Sequence, residues 1–371
     1  MRIYMIGAKG FPATQVLGSG GIERHVEEVA TRLAARGHQV FVYVRAHSAD
    51  PARKSFCGVN IVRLPSFRSK NLGTISHVLL ATLHVLFQSA DIVHYHGVGP
   101  ATLSIVPRLF KWSTRTVVTF HSRDRFDPKW SRFARMYLAY GEWAATHFPH
   151  VTLVTSHVLQ VYCRKMFHRE TTYFPNGATI PRRVGSEVLA SFCLTSGDYF
   201  LCVGRLVPNK AYDVAIEAFS KSTTSKKLVI VGDAVYADAY VERLEHLASK
   251  DGRVKLVGYQ TGAALAQLYA HCYAFIHPSR SEGLSASVIE AMANGRLVIM
   301  SDIQENLELI DHSGIAFPVD DRHALTRTLD WIVTDSEIVA RRGERAREIV
   351  RQRYSWDVLV KRLEKAYRMA F

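Results

Sequence analysis

The stretch "RIYMIGAKGFPATQVLGSGGIERHVEEVATRLAARGHQVFVYV", residues 2–44, decides the fold. Its first five residues, RIYMI, are almost wholly apolar and read as a β-strand buried on both faces. A glycine-rich loop over 7–21 follows, closing on Gly20-Gly21. The next residues repeat apolar side chains at helical spacing: Val26, Val29, Ala30 and Leu33 share one face, and Gly37 supplies a stop. QVFVYV (39–44) is a second apolar run of strand length. Strand, loop, helix and strand in this order describe a βαβ unit, the building block of a parallel sheet.

The alternation continues along the chain. DIVHYH (91–96), TVVTFH (116–121) and VTLVTS (151–156) read as further strands, with helical segments between them. After YFPNGATIPRR (173–183), a Pro/Gly-bearing linker, the pattern restarts with YFLCVG (199–204), KLVIVG (227–232), VKLVG (254–258), YAFIHPS (273–279) and RLVIMSD (296–302). The expected class is α/β, with two doubly wound, Rossmann-like parallel-sheet domains of similar size over 1–180 and 181–355. SWDVLVKRLEKAYRMAF (355–371) reads as a terminal helix. Ligands of open α/β sheets bind beyond the carboxyl ends of the strands, and two such domains are expected to face each other across a ligand cleft.

Composition narrows the partners. A chain of 371 residues exceeds one ordinary core, and 48% hydrophobic with 22% charged residues describes a globular protein. The net charge is +14, and its distribution matters more than its size. Residues 1–180 hold 22 Lys+Arg against 9 Asp+Glu, whereas 181–371 hold 25 against 24. RDRFDPKWSRFAR (123–135) concentrates the excess and mixes it with aromatic residues. Such a half suits an anionic partner, a membrane surface, a phosphorylated lipid or a nucleic acid, or is simply a solvated basic surface. The start of the chain reads as a buried strand and not as an export signal. The apolar run ISHVLLATLHVLF (75–87) is too short to span a bilayer and reads as a buried helix. Five cysteines without C-x-x-C spacing suit reduced thiols in the cytosol.

Four loops that follow strands carry candidate chemistry. Gly20-Gly21 stands before a helix, where free amides can meet an anion or where glycine serves turn geometry alone. VGRLVPNK (203–210) places Arg205 and Lys210 beyond a strand end; a guanidinium fork with an ammonium suits a diphosphate, and both also suit plain surface. His121 ends a strand, while His94 and His96 share a face one strand earlier; no further ligand spaced for zinc is recognisable. SRSEGLSASVIEAMANG (279–295) carries Glu282 in a loop and Glu290 in a helix that Ser285 or Ser287 could start. Eight residues of continuous helix would separate them by about 12 Å, whereas paired glycosidase carboxylates lie about 5–9.5 Å apart. Spacing favours two acceptors along one ligand over two sides of one bond.

Taken together, GGIERHVEEVATRLAARGHQVFVY, VVTFH, PNG, VGRLVPNK, PSRSEGLSASVIEAMANG and SGIAFPVDD, in this order, resemble the retaining GT-B glycosyltransferases of family 4 over nearly the whole chain. The long first loop is most similar to bacterial members of polysaccharide and lipopolysaccharide assembly. The resemblance implies a nucleotide-diphosphate sugar as donor, with Arg205 and Lys210 on its diphosphate, Glu290 on the ribose and Glu282 on hydroxyls of the transferred sugar. It also implies His121 beside the reacting carbon, Gly20-Gly21 near phosphates or acceptor, and Gly258-Tyr259-Gln260 at the base. The terminal helix from about Trp356 is expected to return to the N-terminal domain. Between the glutamates the family commonly carries Phe-Gly-Leu-Pro; this chain has Leu284-Ser285-Ala286-Ser287.

No D-x-D triplet occurs, so metal-independent transfer is expected, with no cofactor. The basic half suggests a polyprenyl-diphosphate-linked or other anionic lipid acceptor at the inner face of the cell membrane, and no nucleic acid. Two rivals share parts of this pattern. A GT-B-fold sugar-nucleotide epimerase would convert donor without an acceptor. A nucleic-acid-binding protein would explain the charge but not Glu282 and Glu290, and no RRM, KH or helix-turn-helix signature is present.

Overall fold

The computed structural model describes residues 1–13, 20–69, 72–126, 130–233 and 238–371. Within the predicted loops, 14–19 of the first and 127–129 of the basic segment lie outside the described residues. The chain forms two compact units, Met1–Pro175 with Trp356–Phe371, and Asn176–Ser355. The first therefore ends five residues before the boundary drawn at 180.

The first unit is built on β1 (Arg2–Ile6), β2 (Gln39–Arg45), β3 (Ser55–Phe56), β4 (Val59–Leu64), β5 (Ile92–His96), β6 (Arg115–Phe120), β7 (Val151–Val154) and β8 (Thr172–Tyr173). They form one sheet in the order β3-β4-β2-β1-β5-β6-β7-β8, parallel except for the β3–β4 pair. Ile3 pairs with Val40 on one side and Ile92 on the other, so β1 is central and apolar on both faces. Its helices are α1 (Gly21–Ala35), α2 (Leu72–Leu86), α3 (Val98–Ala101), α4 (Ile105–Phe110), α5 (Arg132–His147) and α6 (His157–Phe167). One face of the sheet packs Ile3, Met5 and Val42 against Val26, Val29 and Leu33 of α1. The other packs Tyr4, Val93 and Tyr95 against Val78 and Ala81 of α2, Ala101 of α3, Leu138 of α5 and Leu159 of α6.

The second unit carries β9 (Tyr199–Val203), β10 (Lys227–Val231), β11 (Val254–Leu256), β12 (Ala274–His277), β13 (Leu297–Ser301) and β14 (Gly314–Phe317). The order is β11-β10-β9-β12-β13-β14 and every pair is parallel. Around it lie α7 (Tyr212–Ser220), α8 (Asp238–Ala248), α9 (Gly262–His271), α10 (Ala286–Ala293), α11 (Gln304–Ile310), α12 (Arg322–Ile332) and α13 (Ser336–Ile349). The last helix, α14 (Trp356–Met369), leaves this unit and packs on the first. It buries Trp356, Leu359, Leu363 and Tyr367 at helical spacing in the α1 core. Each such side chain contributes about 2 kcal/mol, enough to hold a terminal helix in place.

Both sheets reverse direction at one point. In the first, successive strands run outward from β1 one way and from β5 the other; in the second the reversal lies between β9 and β12. Loops leaving adjacent strands diverge there and leave a crevice at the carboxyl edge, where ligands of this architecture bind. Close backbone approach demands glycine at the strand ends: a Cβ on Gly7 would lie 2.4 Å from the His96 carbonyl oxygen, where β1 and β5 diverge, and one on Gly232, after β10, would lie 1.9 Å from that of Gly204, after β9.

One expectation fails. The apolar run 75–87 lies in α2 and just beyond it, and only one face of that helix, with Gly73, His77, Val78, Ala81 and Val85, is buried. Its opposite face is as apolar and is exposed. Among the described residues no helix is long and apolar enough to cross a membrane.

Candidate active site

At the reversal point of the second sheet, Glu282 is the centre of a compact polar group. Its loop leaves β12, and the turn Pro208–Lys210 follows the neighbouring β9. Lys210 Nζ lies 2.5 Å from Glu282 Oε1. The same oxygen accepts from Ser279 Oγ at 2.7 Å and from His277 Nε2 at 3.1 Å. A carboxylate only accepts, so the His277 proton sits on Nε2. Glu282 Oε2 has no hydrogen-bond partner among the described residues. Burial pushes the Glu282 carboxyl upward, but the Lys210 charge and the His277 hydrogen bond outweigh it and hold the group well below the ordinary carboxylate range. Glu282 is thus an ionised acceptor with one saturated oxygen and one open one.

Arg280 ties the two loops together. Its amide donates to the Asn209 carbonyl at 2.8 Å and its guanidinium to the Pro208 carbonyl at 2.6 Å, while Asp320 pairs with it at 2.7 Å. Arg205, leaving β9, is exposed and makes no ion pair among the described residues. Tyr212 Oη is buried without a partner, beside Gly204. Ser285 is the N-cap residue of α10, and Glu290 stands half-buried on that helix. In the divergent Leu284–Ser287 segment, Leu284 is buried and its carbonyl accepts from Asn176 Nδ2 at 2.7 Å. Tyr259 lies beyond β11 with an exposed ring, whereas the Gln260 amide turns back on the Val257 carbonyl at 2.7 Å. The structure brings Lys210 and Glu282 together directly; His277, Ser279 and Arg280 complete the group without having stood out in the sequence.

The reversal point of the first sheet holds histidines. His96 ends β5, His121 follows β6 and His25 projects from α1; ring centroids lie 4.8 Å apart for His25–His121, 5.7 Å for His25–His96 and 5.8 Å for His96–His121. Both ring nitrogens of His96 and the Nε2 of His121 are buried with no hydrogen-bond partner. His94, one step deeper, is satisfied by Tyr367 Oη and Thr119 Oγ1, each at 2.7 Å, and serves the core. Burial, followed by the neighbouring imidazoles, pushes His96 and His121 well below the usual histidine range, so both are neutral at pH 7.

Orphaned buried nitrogens call for a ligand. Hydroxyl groups of a sugar would satisfy them. The ligand nitrogens of His25, His96 and His121 also lie within 4.8 Å of one another, the spacing of a candidate metal site. An all-imidazole set suits zinc and not the oxygen-seeking magnesium or manganese that bridge diphosphates. Sequence spacing missed this triad because its members come from three separate elements.

The Gly20 part of the Gly20-Gly21 expectation needs correction. α1 starts at Gly21, but Glu23 Oε2 accepts from the Gly20 amide at 2.9 Å, and Glu23 Oε1 accepts from the Lys9 amide at 3.1 Å. Glu23 thus takes up the Gly20 amide, which is not open to an anion.

Residues 19–180 match the model of Glycosyltransferase Family 4, and residues 195–349 that of Glycosyl transferases group 1. The two parallel-sheet α/β units have the GT-B fold, and the chain belongs to the glycosyltransferases that these two models together describe. It is 23% identical over 354 residues to the uncharacterized glycosyltransferase MJ1178 of Methanocaldococcus jannaschii, covering 94% of each chain. It is 24% identical over 379 residues to the phosphatidyl-myo-inositol mannosyltransferase of Mycolicibacterium smegmatis, covering 99% of this chain and 93% of that one. Anabaena Alr3699/HepE, solved in complex with UDP and glucose, shares the fold with a TM-score of 0.82 at 19% identity over the full length of both chains.

Proposed function

We propose that this glycosyltransferase moves a hexose-type sugar from a nucleotide-diphosphate donor to a lipid-linked saccharide in cell-surface polysaccharide assembly, with retention and without a metal. The second unit holds the donor and the basic first unit the acceptor, at the cytoplasmic face of the cell membrane. The Lys210–Glu282–His277–Ser279 group at the reversal point, beside the exposed Arg205, carries the reading. The UDP and glucose bound by the HepE protein and the lipid named for the mannosyltransferase relative support it.

The chemistry follows from charge. The bond between the anomeric carbon and the diphosphate oxygen breaks, its electron pair leaving with the diphosphate while positive character grows on the ring. Arg205 offers a planar fork to the diphosphate, and Lys210, with three N–H donors, can keep one on Glu282 and turn another to phosphate. The open Glu282 Oε2 accepts from sugar hydroxyls, Glu290 from the ribose, and Tyr259 stacks on the base, with Gln260 at its edge. The acceptor oxygen attacks from the face the diphosphate leaves, and its proton passes to a departing phosphate oxygen. His121, neutral, offers its unpartnered Nε2 to a hydroxyl group and is not the general base. Among the described residues no cluster of carboxylates that could hold a metal lies on the donor side, and in this reading Arg205 and Lys210 supply the positive charge that the leaving group needs.

The test is nucleotide release from a panel of UDP-glucose, UDP-N-acetylglucosamine, GDP-mannose and dTDP-rhamnose, with a polyprenyl-diphosphate-linked saccharide as acceptor. Acceptor-dependent turnover of one donor, lost in Arg205→Ala and Lys210→Ala, is expected. Conversion of a donor without acceptor would instead identify an epimerase.

A further inference from the structure

The outer faces of α2, α4 and α5 are the largest feature that the transfer chemistry leaves unused. All of α2 lacks charged residues other than histidine. Leu72, Ile75, Leu79, Leu80 and Leu83 recur at helical spacing along its exposed side, ending in Phe87, 87% exposed. The stripe runs the length of the helix, so it suits a surface lying along the axis. Lys111 Nζ donates to the Leu86 carbonyl at 3.2 Å and so ties the end of α2 to the turn after α4. That turn presents Phe110, 74% exposed, and Trp112, 82% exposed. On α5, Phe133 (79%), Met136 and Tyr140 form a second exposed stripe. α2 and α5 cover the same face of the first sheet, so both stripes point away from one layer.

Cations surround these apolar faces. Between Phe67 and Phe148 the chain carries ten Lys+Arg and four Asp+Glu. Of the acids, Glu142 is buried against Arg125 and Asp91 holds the Arg2 amide. Arg132 and Arg135 stand exposed beside Phe133 and Met136, with no exposed acid on that helix. Soluble proteins rarely leave apolar surface of this extent uncovered. Apolar stripes with exposed aromatics, edged by cations, match the interface of an anionic bilayer, in which helices lie in the plane with their apolar side down. A second copy fits worse, because it would bring the same cations against each other.

We infer that the outer face of α2, α4 and α5 docks the protein on an anionic lipid surface, with Leu79, Leu83, Phe110 and Trp112 entering the interface and Arg132 and Arg135 meeting the headgroups. This deepens the proposed lipid-linked acceptor by assigning the membrane contact to particular helices. It rests on that reading for its purpose but not for its observation.

The experiment is sedimentation of the full chain with vesicles of phosphatidylcholine alone or mixed with phosphatidylglycerol. Wild type should sediment with the mixed vesicles. Leu79→Glu/Leu83→Glu should weaken binding roughly tenfold or more, and Arg132→Glu/Arg135→Glu should abolish the preference for the anionic lipid. Quenching by brominated lipid should fall sharply in Trp112→Phe, a variant of an exposed ring that does not threaten folding. Nucleotide stabilisation of all these variants should stay at the wild-type level, which separates the docking surface from the donor site. Unchanged binding by the leucine variant, equal binding to both vesicle types, or a Trp112 ring untouched by bromine would overturn the inference. So would a wild-type dimer that the leucine variant converts to monomer.

Discussion

Lys210 and Glu282, 72 positions apart in the chain, meet at 2.5 Å where the second sheet reverses its strand order. The meeting holds the Glu282 carboxylate ionised in a largely buried place and leaves one carboxylate oxygen free for a ligand. It also couples donor binding to local stability, because removing either partner strands the other charge.

Lys210→Ala should therefore cost on the order of 3 kcal/mol of stability as well as donor binding. Adding Glu282→Gln should return much of the stability while leaving donor use defective. A double-mutant cycle by urea unfolding, set beside nucleotide affinity in the same variants, checks both halves. Additive stability losses would show that the pair is not coupled.

Arg205→Ala should behave differently. The guanidinium is exposed and without an ion-pair partner, so stability should change by no more than about 0.5 kcal/mol. Donor KM should nevertheless rise at least about tenfold, the loss expected for a charge-assisted fork on a diphosphate. Steady-state kinetics against donor, with an unfolding curve as control, reads this split.

Much of this was legible in the sequence because parallel sheets buried on both faces demand unbroken apolar runs. RIYMI, KLVIVG and RLVIMSD fall on β1, β10 and β13 for that reason. That Lys210 would meet Glu282 was not legible, since it depends on β9 lying next to β12, while His277 and Ser279 lie within five residues of Glu282 on its own strand and loop but carried no marking pattern. The histidine triad was hidden in the same way, drawn from α1, β5 and the end of β6. The exposed side of α2 escaped because a helix apolar all round shows no contrast from which to read its solvent face.

Acid should destabilise the first unit through His77. Burial lowers its pKa from the ordinary 6.5 to about 4, so below pH 6.5 the unfolded chain takes up a proton that the folded ring refuses. Its contribution is complete above pH 6.5 and is lost as pH falls toward 4. The slope is about 1.4 kcal/mol per pH unit in that window. Unfolding midpoints between pH 7 and 5 should fall accordingly, and His77→Leu should flatten the profile by that amount.

Chelation should leave transfer unchanged, since no D-x-D site exists for a metal on the diphosphate. Turnover measured in EDTA and with added magnesium or manganese should agree. Loss in EDTA restored by zinc alone would instead point to His25, His96 and His121, and His96→Ala would remove that dependence.

Thermal stabilisation by UDP, GDP, ADP and dTDP, without metal, in wild type and Arg205→Ala, tests the donor site most directly. One nucleotide should raise the unfolding temperature of the wild type and leave the variant where it was. No shift with any nucleotide, or an equal shift in both proteins, would contradict a donor site built on Arg205, Lys210 and Glu282.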